Sequence, residues 1–463
     1  MRVPQPQPKS TAGSFLVYVC VHMIDLRKLI TPLTKGGLAI LDQGFVAGSN
    51  FLISIVLARW LPADQYGAYA VAFSVFLLVG MLYQSLLLEP MGVFGASVYK
   101  NSLQGYFKAT LALHGLSSAV IILVIAPAAG IALKLSGAKS LAGALLGIAL
   151  AGPLILLFWL AKRAFYIQLS PGPSTIAAFF YCVLTLGSLV LLYKFRWLSP
   201  FTALLLMGIG SLAAAVPLSI YLMRMLAPDV DQTSVSDVLQ RHWRYGRWAL
   251  AGSALTWVPV NIFYPLVSSF SGMAQAGELK ALVNLTAPVW QPVAALSTLL
   301  LPYAARTQET RGSAGAGALS RQVTLVFMSG TVAYWCALLL FRGPAFHLLY
   351  SGRYMGVAYL LPVMALGSIF WSGFVGPANA LRAMESPVSV FFAVAMASAA
   401  AVIVGVPSTR LLGLKGAVWA MTVSQGVGFV AAAVLLRRRL RRRSGLLEFE
   451  ATPQLPPDSA LDG

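Results

Sequence analysis

The chain has 463 residues, 58% of them hydrophobic and only 10% charged, with a mean hydropathy of +0.77. Ordinary soluble domains carry about 25% charged residues, so this chain lacks the polar surface a soluble globular protein needs. The formal net charge of +19 does not point to nucleic acid, because the basic residues sit at the ends of apolar runs with no aromatic-rich stretch around them.

In chain order, residues 1–35 come first. Phe15 to Ile24 is apolar but too short to span a membrane, and Asp25 follows it without a small-residue cleavage site. Met23 precedes IDLRKLI, a short amphipathic lead-in, and is the preferred start; 1–35 reads as a cytoplasmic extension. Runs able to cross a hydrocarbon core, about 20 residues each, then fall at 37–59, 67–89, 109–132, 141–161, 175–193, 200–222, 248–269, 281–302, 323–341, 356–377, 387–405 and 414–436. The expected fold is an all-α polytopic membrane protein with about twelve transmembrane helices.

Lys and Arg set the orientation. With the N-terminus inside, the cytoplasmic segments hold 23 of the 33 basic residues and the outer segments hold 10. The run Arg437, Arg438, Arg439, Arg441, Arg442, Arg443 pins the last helix end, so the expected topology is N-in, C-in. Six helices, a charged loop and six more suggest two six-helix bundles, 36–222 and 248–436, joined by a linker at 223–247. An even number of spans per half makes these parallel repeats about a pseudo-twofold axis along the membrane normal. LPADQYGAYAV after span one parallels SGMAQAGELKA after span seven, pairing Gln65–Gly67 with Gln275–Gly277; Pro90 likewise pairs with Pro302. RGSAGAGALSR, in the loop 303–322, reads as a flexible link. The tail 437–463 reads as basic and then disordered.

The hairpin Leu41–Met91 holds Asp42, Gln43, Asn50, Gln84 and Glu89 inside otherwise apolar helices. Such groups are costly in hydrocarbon and usually face a bundle interior or a wet cavity. Gln43, Ala47, Asn50 and Ser54 share one helical face, and Gln84, Ser85 and Glu89 approach the same cytoplasmic side from the next helix. Asp42 and Glu89 are candidates for coupling or gating, with Arg247 or Lys100 as candidate partners. Gln43, Asn50 and Gln84 are cavity candidates, alongside Trp257, Asn261, Asn284 and Gln291 on spans seven and eight. The alternative for each is helix–helix packing. At the cytoplasmic helix ends Arg163, Arg247 and Arg382 are candidates for binding a diphosphate, since the Arg fork matches phosphate oxygens; positive-inside bias alone also predicts them. Cys20, Cys182 and Cys336 form no disulfide framework, and neither they nor the four histidines have metal-ligand spacing. No catalytic residue, metal or cofactor is expected.

The segment LDQGFVAGSNFLISIVLARWLPADQYGAYAVAFSV, with QSLLLEPM at 84–91 and HLLYSGRYMGVAYLLPVMAL at 347–366, resembles Wzx-like polysaccharide flippases. These are members of the multidrug/oligosaccharidyl-lipid/polysaccharide exporter superfamily. The resemblance covers 36–436 and departs in the N-terminal extension and in twelve spans where some relatives have fourteen. It implies a V-shaped pair of bundles in the bacterial inner membrane, moving a polyprenyl-diphosphate-linked glycan to the outer leaflet by alternating access. It further implies H⁺ or Na⁺ as coupling ion, and a polysaccharide polymerase and glycosyltransferases as partners. The alternative is a cation-coupled exporter of small amphipathic molecules. A membrane glycosyltransferase or polymer ligase fits poorly, because the outer loops are short and hold few acids (Asp64, Glu278).

Overall fold

The structure, a computed structural model, describes residues 12–136, 138–226 and 233–451. Regular structure among the described residues is entirely helical. Helix α1 (Ala12–Trp60) and α2 (Ala63–Ala96) meet at Leu61–Pro62. Pro62 disfavours helical backbone at the residue before it and occupies the N-cap of α2, which makes the turn tight. There follow α3 (Leu103–Ser136), α4 (Lys139–Ile167), α5 (Pro171–Lys194) and α6 (Pro200–Met225). Ser199 and Thr202 close a capping box at the start of α6, satisfying amides a helix start leaves open.

The second half opens with α7 (Val235–Asn261) and α8 (Phe263–Ser271), bent by 45° at Ile262. Next come α9 (Met273–Asn284) and α10 (Ala287–Leu340), kinked at Gly312 with φ +61. The short α11 (Arg342–Tyr350) leads to α12 (Leu361–Ala383), α13 (Pro387–Ile403) and α14 (Gly405–Ala451), the last kinked at Gly413. Within the halves, α4 packs on α6, α1 on α5, α10 on α12 and α13 on α14; between them, α2 packs on α9.

Among the described residues nine helices are long and apolar enough to cross a membrane, ten if α7 and α8 form one bent span. Two of the twelve expected runs fall short of that test. The run 281–302 is split where α9 ends at Asn284 and α10 begins at Ala287; Pro288 sits in the first turn of α10, where a missing N–H costs nothing. The run 387–405 yields a helix of 17 residues.

One expectation is corrected. The flexible link at 303–322 is helical, broken only at Gly312. Its small residues serve close packing: Ala316 is buried against a cluster containing Ala380 and Leu436, and a Cβ on Gly317 would stand 3.0 Å from Leu440. Helix α14 extends to Ala451, and the rest of the tail expected at 437–463 lies outside the described residues. Helix α1 starts at Ala12 and runs through Met23, and the part of it apolar enough to cross a membrane begins at Lys35.

Candidate functional site

Helices α1, α2 and α4 enclose a cavity of about 360 Å³ lined by Gln43, Val46, Gln84, Leu88, Trp159, Lys162, Arg163 and Tyr166. Asp42 lies behind its wall with no exposed surface. One carboxylate oxygen meets the Lys162 ammonium at 2.8 Å, and the other accepts a 2.5 Å hydrogen bond from the Tyr166 hydroxyl. Taking two charges out of water costs several kcal/mol each, which only close pairing and added hydrogen bonds offset. The Lys162 ammonium also lies 5.3 Å from the centre of the Phe158 ring. The expected partners Arg247 and Lys100 are therefore replaced by Lys162, one turn before Tyr166 on the same face of α4.

The end of α2 explains how Arg163 is held. Residues Gln84–Leu88 form a π-helical turn, and such turns release carbonyls from the regular ladder. The Arg163 Nε donates to Leu88 O at 3.0 Å, and His242 hydrogen-bonds Leu86 O at 3.2 Å. A Cβ on Gly92 would come within 2.7 Å of the Arg163 guanidinium, so only glycine lets it lie there. With Asp42 neutralised by Lys162, Arg163 carries the net positive charge of the cavity. Glu89 is half-buried, lies outside the cavity lining and forms no ion pair among the described residues. Val46 and Trp159 also line a second, narrower space of about 50 Å³ that contains Asn50 and Ser211.

Trp257, Asn261 and Asn284 lie where the halves meet. Trp257 Nε1 donates to Ser74 O at 2.8 Å, and Asn261 Nδ2 to Trp257 O at 3.4 Å. Ser54 donates to Asn284 Oδ1 at 3.1 Å, Asn284 Nδ2 donates to the Tyr66 oxygen at 2.9 Å, and Tyr66 and Ser54 lie 3.0 Å apart. These three buried side chains form a closed triangle. Around it Tyr350 donates to Ala281 O at 2.8 Å and Arg353 to Leu61 O at 2.8 Å. The helices touch most closely at Gly67 and Gly277: a Cβ on Gly277 would stand 2.6 Å from Ala63 O, and one on Gly67 would overlap Met273 O. Helices α1 and α2 thus close tightly on α9 at the end that carries the α1–α2 turn, forming a seal there.

Replacing Asn284 with Leu removes two hydrogen bonds from this seal. The expected loss is about 1–2 kcal/mol, enough to raise the open population roughly five- to thirtyfold. The check is the labelling rate of Ala58→Cys by a membrane-impermeant thiol reagent, with the three native cysteines replaced by Ser. An unchanged rate would show that the triangle does not hold the seal.

The structure thus brings Gln43, Gln84 and Arg163 together, with Asp42 behind them. It leaves Arg247, Arg382 and Gln291 exposed and outside this lining, with Arg247 against the Trp248 ring at 5.3 Å. Sequence reasoning missed Tyr166, Trp159 and Lys280. Tyr166 was signalled by its spacing of four from Lys162. Lys280 was hidden by a span boundary that placed it in an outer loop. It stands on the third turn of α9, 5.4 Å from the Phe73 ring and 5.8 Å from the Tyr264 ring, with no hydrogen bond or ion pair among the described residues.

No known family profile matches the chain, and no curated protein matches it in sequence. Solved structures do match it. One is an inward-facing multidrug resistance MATE family transporter of the MOP superfamily, at TM-score 0.73 and 11% identity, covering 89% of this chain and 96% of that one. Another is the lipid II flippase MurJ in an inward closed conformation, at TM-score 0.66 and 11% identity, covering 89% and 93%. A third is a MOP superfamily transporter from Pyrococcus furiosus, at TM-score 0.62 and 12% identity, covering 89% and 96%. Across nearly nine-tenths of its length this chain has the fold of MOP superfamily transporters.

Proposed function

We propose that this protein is a Wzx-like flippase of the bacterial inner membrane. It carries a polyprenyl-diphosphate-linked oligosaccharide from the inner to the outer leaflet by alternating access. In this reading twelve segments cross the membrane, both ends are cytoplasmic, and 36–222 and 248–436 are the two bundles. The observation that carries it is the cavity between α1, α2 and α4, where one net cation, Arg163, stands beside the amides of Gln43 and Gln84. Diphosphate needs a guanidinium fork, sugars need amide donors and acceptors, and a lipid tail needs only an open lateral face.

The described seal lies at the outer end under this topology, so the structure corresponds to an inward-loading state. Arg163, Gln43 and Gln84 receive the headgroup. Lys280, an ammonium without a carboxylate partner where α2 meets α8 and α9, offers the next cation along the path. Asp42 exchanges the coupling ion: when it is neutralised by H⁺ or Na⁺, Lys162 loses its partner and α1 is released from α4. Arg247 and Arg382 attract the anionic headgroup at the cytoplasmic rim, and Glu89 assists gating. Glycosyltransferases supply the substrate and a polymerase consumes it.

Cation-coupled export of small amphipathic molecules is the second reading, favoured by the MATE structures that share the fold. It is disfavoured by the pairing of Asp42 with Lys162, which leaves no free acid in the cavity for a cationic drug. Reconstituted vesicles separate the two. Flipping of a polyprenyl-diphosphate oligosaccharide, without uptake of cationic dyes, supports the flippase; the reverse overturns it. A charge-assisted hydrogen bond contributes about 1.5–3 kcal/mol. Arg163→Met and Lys280→Met should therefore each slow flipping by roughly 10- to 100-fold, with each variant's melting temperature separating the transport defect from loss of the Arg163–Leu88 hydrogen bond. Wild-type rates in both would remove these cations from the path.

A further inference from the structure

Another cavity opens away from the sites above, along α13 and α14. It measures about 550 Å³ and is lined by Met396, Gly426, Val430, Val434 and Leu435, ending at Arg438. From Gly426 to Arg438 it runs about 18 Å along the helix, at 1.5 Å per residue. Gly426, which has no side chain and lies against Phe370, leaves room at one end of the trough between the flanking side chains. Apart from Arg438, the residues named are apolar.

Arg438 is exposed and has no hydrogen bond or ion pair among the described residues. Its neighbour Arg439 carries a buried Nε with no acceptor. The Arg438 guanidinium, without an acceptor among the described residues, thus stands at the end of an apolar trough, within the chain's densest basic run. An amphiphile with one anionic end and a long apolar end matches both parts. Guanidinium binds phosphate oxygens through its fork, and basic pockets at helix ends take up lipid head groups.

We propose that this trough is a binding site for one anionic phospholipid. Its phosphate is held by Arg438 and one acyl chain lies against Val430, Val434 and Met396. The site is separate from the transport path, and the proposal does not depend on what the protein carries. Its occupant ties α13 to α14, so binding stabilises this pair.

The test uses the full chain in detergent micelles, read by native mass spectrometry and by thermal unfolding, with phosphatidylglycerol, phosphatidylcholine or inorganic phosphate added. The expected result is retention of one phosphatidylglycerol, which raises the melting temperature, with neither phosphatidylcholine nor phosphate reproducing it. Arg438→Gln and Val430→Trp, the latter filling the trough, should each weaken retention about five- to tenfold. Arg437→Gln, on another face of the helix, should not. Equal loss on Arg437→Gln would reduce the effect to diffuse attraction by the basic run and overturn the proposal. So would unaltered retention in Val430→Trp, or equal retention of phosphatidylcholine. Each variant's melting temperature without lipid separates a folding defect from a binding defect.

Discussion

Lys162→Met is expected to lower the stability of the folded protein by about 3–5 kcal/mol, the usual result of removing one partner from a buried ion pair. Asp42 has no exposed surface, and without Lys162 its remaining donor among the described residues is the Tyr166 hydroxyl. The carboxylate must then be protonated or drag water between α1 and α4. Combining Asp42→Asn with Lys162→Met should recover most of the loss, because replacing both charges removes the desolvation cost along with the attraction. The check is thermal unfolding in micelles for the two single variants and the pair. Equal melting temperatures for Lys162→Met and the wild type would mean that Asp42 is not held as a buried anion. Transport separates structure from coupling: the double variant should be stable but unable to flip substrate against a gradient. Wild-type flipping by it would make the pair a structural tie only.

Gly67→Leu should abolish closure at the end of the α1–α2 turn. A side chain there overlaps the Met273 carbonyl, which is backbone and cannot rotate away. Forcing extra atoms into such a contact costs about 1–3 kcal/mol even where neighbours can adjust, and here the remaining relief is to part α2 from α9. Labelling of Ala58→Cys from the outside should rise at least tenfold, and flipping should fall to near background. Gly277→Leu should give the same result, since its Cβ would press on Ala63 O from the facing helix. Gly115→Leu is the control, because nothing lies within 4 Å of a Cβ at that position. If Gly67→Leu transports normally with unchanged labelling, this crossing does not open and close during transport.

The helical hairpin was legible because apolar runs and Pro62 mark it locally. Its buried acid, Asp42, was legible too, since an acid in an apolar run draws notice wherever it packs. Its partner was not. Lys162 sits far along the chain, and positive-inside bias gave it an ordinary explanation at a helix end. The spacing from Lys162 to Tyr166 was the available clue, one face of α4 offering two donors. Lys280 was lost for a related reason: hydropathy cannot place a single cation between a loop and a helix whose first turns are polar. RGSAGAGALSR failed differently. Small residues make a chain pliable when nothing lies beside them and let helices approach closely when something does. Composition alone does not distinguish these outcomes. The pairing of Gln65–Gly67 with Gln275–Gly277 was visible as a similarity between segments, but only the structure shows Gly67 and Gly277 lying against each other.

That helical segment around Gly312 changes how length must be counted there. A tether can gain or lose a residue at little cost, whereas a helix cannot. One inserted residue between Gly312 and Ala316 would turn everything after it by about 100°. Ala316 would leave its buried place beside Ala380 and Leu436, and Ser320, whose carbonyl lies where a Cβ on Gly376 would clash, would swing off α12. A stretch whose composition suggests freely variable length is therefore one whose length is set by helical phase.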